Sequence, residues 1–157
     1  MTAVPQASSP DPADELALRK LSERYALALD SRDREAFTGV FTADGVLVAY
    51  GRDGKETLRR TGPAELVGEI DDLAAFDGLF HPVTAHVAVV AAGGGTAAGT
   101  ALCGAHHYTE ADGTATDLYC PVRYEDTYVR TSEGWRIARR EVHVLWMDLR
   151  TVTAPGG

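Results

Sequence analysis

Asp112-Gly113 lies between two runs that alternate apolar and polar residues, and it constrains the chain more than any other feature. An Asp-Gly pair favours a two-residue hairpin turn whose twist matches the strands it joins. A loop of Asp112 and Gly113 pairs Ala111 with Thr114. It then sets His107 opposite Leu118, Ala105 opposite Cys120, Cys103 opposite Val122 and Ala101 opposite Tyr124. Leu118, Cys120, Val122 and Tyr124 are the apolar side of their strand. His107 is therefore expected to point inward and His106 outward, because successive side chains alternate. The two cysteines share the inner face but sit diagonally, which does not promise disulfide geometry. The next turn, around residues 132–134, leads into a last strand over 135–147. Carrying the same parity through that turn puts Trp135, Ile137, Glu141 and His143 on the inner face.

The first half reads differently. Residues 13–33 place Leu18, Leu21, Tyr25 and Leu29 at helical spacing. Asp11 suits the N-cap, Pro12 the first turn, and Asp14 and Glu15 complement the positive end of the helix dipole. Asp30 follows Leu29 and so lies at the edge of the apolar stripe. A short helical segment is expected over 34–41, a short strand over 46–50 and a return strand over 55–60. A further helix opens at Thr61-Gly62-Pro63, with Leu66, Val67, Ile70 and Leu73 as its stripe. A strand over 86–90 precedes the Gly93-Gly94-Gly95 turn. Helices with a short hairpin, followed by a run of antiparallel strands, predict an α+β fold: a curved sheet around the long N-terminal helix, with a pocket between them. The expected organisation is a disordered lead over 1–12, one domain over 13–149 and a loose tail over 150–157.

Charge narrows the function. A formal net charge of −8 opposes a nucleic-acid surface. With no apolar stretch of membrane-spanning length and no signal-like start, the expected location is the cytoplasm. Two cysteines without CxxC spacing do not form a disulfide framework.

The histidines carry the chemical interest. His81 stands in LFHPVTAH, where Pro82 pushes it toward an extended backbone at the mouth of the sheet. His107, His143 and Glu141 are candidate pocket groups on a mostly apolar wall, and His86 reads as structural. No HxxxH, HExxH or CxxC spacing appears, so no metal site is expected. Three consecutive glycines without a following GK[ST] make no phosphate loop, and no GxSxG elbow exists.

Three stretches resemble one family. YALALDSRDREAFTGVFTADGVLV is similar to the opening of SnoaL-like proteins of the nuclear transport factor 2-like superfamily. LFHPVTAHVAVV resembles the segment where scytalone dehydratase and hexachlorocyclohexane dehydrochlorinase carry their catalytic His. YEDTYVRTSEGWRIARREV resembles the closing hairpin of the superfamily. The resemblance implies a cystatin-like cone and a catalytic pair of Asp30 and His81. Tyr50 falls where scytalone dehydratase has a substrate-orienting Tyr, and His107, or His106 with a one-residue gap, where it has a second pocket His. With His143, Tyr25 and Trp146, these complete the candidate substrate-binding set. Leu29 and Ser31 depart from the residues that flank the Asp in the two enzymes. The implied activity is a cofactor-independent lyase, a dehydratase acting on a hydroxylated carbonyl or polyketide-like compound. A cyclase or isomerase, and a non-catalytic binding or assembly subunit, are the alternatives. A homodimer or homotrimer is expected.

Overall fold

The computed structural model describes residues 10–156. Helices α1 (Pro12–Ser31) and α2 (Arg34–Gly39) are followed by strands β1 (Phe41–Tyr50) and β2 (Glu56–Thr61). Two one-turn helices, α3 (Gly62–Leu66) and α4 (Gly68–Asp72), lead through a 3-10 turn (Leu73–Ala75) into β3 (Gly78–Phe80) and β4 (Val83–Val90). Three long strands, β5 (Thr96–Ala111), β6 (Thr114–Thr131) and β7 (Gly134–Val144), and a short β8 (Asp148–Val152) complete the chain. The eight strands form one sheet in the order β2-β1-β7-β6-β5-β3, with β4 also on β5 and β8 also on β6. This is the α+β cone expected, with every pairing antiparallel except β1 on β7, which is parallel.

α1 starts where its caps place it. Asp11 accepts a hydrogen bond from the Ala13 N–H at 2.8 Å, and Pro12 takes the first helical position, where no N–H is needed. Its stripe of Leu18, Leu21, Tyr25 and Leu29 is buried against Ala101, Cys103, Tyr124 and Ile137 of the sheet. Tyr25 also meets Phe37, Phe41 and Tyr124 at ring separations of 5.1, 6.1 and 5.6 Å. Pairs of this kind contribute ~0.5–1.5 kcal/mol each beyond area burial. Tyr25, a candidate for substrate contact, is thus a packing residue.

The β5–β6 hairpin has the register read from Asp112-Gly113: Ala111 pairs with Thr114, His107 with Leu118, Ala105 with Cys120 and Cys103 with Val122. Both cysteines are free and buried.

Four expectations fail. The inner-face parity of β7 breaks at a bulge. Tyr128 pairs with Ile137 but Thr127 with Arg139, so Ala138 has no opposite number. One extra residue turns the rest of the strand over. Arg140, Val142 and Val144 face the core, while Glu141 and His143 face out. The helix expected from Thr61 onward is broken at Val67–Gly68. A side chain at Gly68 would collide with the Arg60 guanidinium, which crosses there. β1 begins at Phe41, earlier than its β-rich run suggests. Residues 148–152, expected partly in the loose tail, pair with β6 as β8. Of the expected lead, residues 1–9 lie outside the described residues, while Asp11 and Pro12 belong to the start of α1.

Candidate active site

β3 and β4 are one strand interrupted at His81-Pro82. Phe80 pairs with His106 and Val83 with Cys103, so the two residues between lie opposite Ala105 and Gly104. Proline has no N–H to give the ladder, and it holds the preceding residue extended. The Pro82 carbonyl still accepts from the Gly104 N–H at 3.1 Å. The amide of His81 turns away from β5 and donates to Asp30 Oδ2 at 3.1 Å. Its ring does the same from Nδ1 to Asp30 Oδ1 at 2.6 Å.

One carboxylate at the end of α1 therefore holds one histidine twice. The ring bond puts the proton on Nδ1 and leaves the Nε2 lone pair free, because an ionised carboxylate only accepts. The His81 side chain is 5% exposed and that of Asp30 21%. Burial lowers the His81 pKa below the ordinary 6.5, and the nearby Asp30 only partly opposes this. The neutral ring is the form present at pH 7, as a general base requires.

His107 stands next to the dyad, with its ring edge-to-face against His81 at 5.5 Å between centroids. Its Nδ1 donates to the Leu118 carbonyl at 3.0 Å. A carbonyl cannot donate, so this bond also fixes the tautomer, and Nε2 of His107 is an acceptor. Phe76 covers the ring of His107 at 4.9 Å.

The other candidates fall elsewhere. His106 points outward and donates to Asp117 at 2.8 Å, between the rings of Phe80 and Tyr119. Tyr50 stacks on His143 at 5.1 Å and accepts from Arg139 at 3.0 Å, on the outer face. The expectation that Tyr50 and His143 line the dyad's pocket is corrected. β7 is turned over by its bulge, and Tyr50 pairs with His143 across the parallel β1–β7 ladder. Tyr50 and the exposed Trp146 instead border a cleft of ≈ 540 Å³ at the rim of the sheet, with Ala49, Arg52, Val144 and Met147. Cys103 is buried and its thiol is pushed up to about 11, which suits packing and not nucleophilic attack. Among the described residues, no three His, Cys, Asp or Glu side chains gather as metal ligands would.

One buried group was not foreseen. Arg140 is fully buried, binds Asp126 through Nε at 2.9 Å and Nη2 at 2.7 Å, and donates from Nη2 to Ser22 at 2.8 Å. Its guanidinium is sandwiched between Tyr25 and Tyr124 at 4.3 and 4.2 Å. Tyr128 adds a hydrogen bond to Asp126 at 2.7 Å. The sequence carried one signal of this pair: an unbroken alternation cannot bury both Ile137 and Arg140, so only a bulge could hide the arginine.

A SnoaL-like domain model matches residues 11–141. The chain belongs to the SnoaL-like family. Among solved structures, a candidate aromatic ring hydroxylase from Novosphingobium aromaticivorans is 26% identical, with a TM-score of 0.73 over 91% of this chain and 96% of that one. A candidate scytalone dehydratase from the same organism is 19% identical, with a TM-score of 0.69 over 90% and 93%. Hexachlorocyclohexane dehydrochlorinase LinA-type3 from Novosphingobium barchaimii is 11% identical, with a TM-score of 0.73 over 89% and 94%. The last two likenesses establish the shared fold alone. In this SnoaL-like chain no helix is long and apolar enough to cross a membrane, among the described residues.

Proposed function

We propose that this SnoaL-like protein is a cofactor-independent lyase in which Asp30 and His81 remove and return one proton. The observation that carries the reading is the double hydrogen bond from His81 to Asp30. His81 Nε2 takes a proton from carbon next to a carbonyl. The electron pair left behind forms the double bond as the neighbouring C–O bond breaks. The imidazolium returns its proton to the departing hydroxyl, and water leaves. Asp30 stabilises the imidazolium and holds its orientation. His107 accepts a hydrogen bond from a substrate hydroxyl through Nε2, which places the leaving group. The substrate class is a hydroxylated carbonyl or polyketide-like compound. The presence of a dehydratase and a dehydrochlorinase on the same fold supports a lyase-type activity.

Cyclisation and double-bond isomerisation would use the same proton transfers. A second reading is a binding or assembly subunit of the same fold. Val87 and Val89 on the outer face of β4 are 69% and 48% exposed. They support self-association through the sheet, as a dimer or trimer, in either reading; the proposed setting is the cytoplasm.

The deciding experiment incubates the protein with a panel of β-hydroxy ketones and follows the absorbance of the conjugated product. Turnover that drops ~10²–10⁴-fold in His81→Gln supports the acid–base reading. Turnover unaffected by that change, or absent across the panel while aromatic ligands bind, moves the assignment to the second reading.

A further inference from the structure

With the His81 side chain 5% exposed, a substrate reaches Nε2 only if part of the cover moves. One such part is the strap of residues 71–76, the end of α4 and the 3-10 turn that lead into the strand before His81. Phe76 of the strap lies on His107, which in turn lies against His81. Ile70 is the last fully buried anchor before the strap; within it Leu73 packs half-buried against the core, and from Asp71 to Phe80 no residue is fully buried. Segments with few buried apolar contacts open locally at low free energy.

Polar ties hold the strap down. Asp71 pairs with Arg34 and Asp72 with Arg60, but these two carboxylates are 55% and 64% exposed. Exposed pairs of this kind hold weakly and are screened by salt. The tie from Arg32 differs. Its guanidinium is partly buried and donates to two backbone carbonyls of the strap, Leu73 at 3.0 Å and Phe76 at 2.5 Å. Arg32 is also the residue that ends α1, in the left-handed conformation at φ 57°, two positions after Asp30.

We infer that residues 71–76 are a gate over the dyad and that Arg32 is its latch, tying the gate to the helix end that carries Asp30. What the gate admits rests on the acid–base reading above; the gate itself can be tested without turnover. Arg32 is a positioning residue, since it touches the cover and not the reacting atoms.

The test uses the full chain, hydrogen exchange followed by mass spectrometry, and histidine labelling with diethyl pyrocarbonate. In the wild type, strap amides exchange faster than those of β5 and β6, and His81 labels more slowly than the outward His106. Arg32→Ala raises strap exchange and His81 labelling about tenfold, with β5, β6 and His106 unchanged. Arg32→Lys keeps the charge but meets one carbonyl, so it recovers part of the protection. It also serves as the variant to read if Arg32→Ala folds poorly. Strap exchange as slow as that of β5, or His81 labelling insensitive to both substitutions, would overturn the latch. A chain that shows the gate but turns over no β-hydroxy ketone keeps this inference and loses the lyase reading.

Discussion

Asp30 holds His81 by its backbone as well as by its ring, at 3.1 and 2.6 Å. The two partners are therefore unequal. The imidazole makes one of the two bonds, whereas the aspartate side chain accepts both.

Substitution should expose that inequality. His81→Gln is expected to lose ~10²–10⁴-fold in turnover while the tether from residue 81 to Asp30 persists. Asp30→Ala strands a buried N–H and the ring N–H together, and should lower stability by ~1.5–3 kcal/mol as well as activity. Denaturant melts of the two variants, beside rates, give the comparison.

The pH dependence has a fixed sign. Burial lowers the folded-state pKa of His81, so the unfolded chain binds the proton more readily. The contribution to stability is whole above the unfolded value of ~6.5 and is lost as pH falls through the lower folded value. His86 is shifted the same way by burial and adds to the same window. Turnover should be level at neutral pH and fall on the acid side with a midpoint below 6.5. Nitrogen-15 spectra of the imidazoles assign the midpoint to His81, and a midpoint above that value would contradict the burial argument.

The ion pair inside the cone should be intolerant of halves. Asp126→Ala leaves the Arg140 charge buried without its counter-ion, and is expected to cost ~3–5 kcal/mol. Arg140→Met with Asp126→Leu, which removes both charges, should regain most of that loss. A thermodynamic cycle from urea unfolding measures it.

Tyr50 gives the opposite test. Its hydroxyl accepts from Arg139 on the outer face, so Tyr50→Phe should change turnover less than twofold, while the lost hydrogen bond costs ~0.5–1.5 kcal/mol of stability. A loss near that of His81→Gln would return Tyr50 to the reaction.

The residues readable in advance are those fixed by local chemistry. Asp112-Gly113 set the register of β5 on β6, and with it the inward aim of His107. The spacing of Leu18, Leu21, Tyr25 and Leu29 placed the stripe of α1. The proximity of Asp30 to His81, 51 positions apart, came from family resemblance, since nothing local brings those residues together. What stayed hidden depends on long-range packing. The bulge at Ala138 has no turn residue or glycine to announce it. Its effect is to bury Arg140 and expose His143, because Asp126, Ser22 and the rings of Tyr25 and Tyr124 on other elements outweigh simple alternation. Where the third helix breaks, the Arg60 guanidinium arrives from β2 and lies against Gly68, a contact that the local sequence does not announce.

The backbone half of the Asp30–His81 contact reaches beyond catalysis. Any residue at position 81 except proline presents the same amide, so the loop can stay in place when the imidazole is gone. On the acid–base reading, one codon change at the histidine ends the chemistry and leaves the tethered loop in place. No comparable change exists at the aspartate, whose loss releases the chain on both sides of the mouth. Within a lineage of this kind, a retained aspartate facing a replaced histidine would mark a fold that has outlived its chemistry.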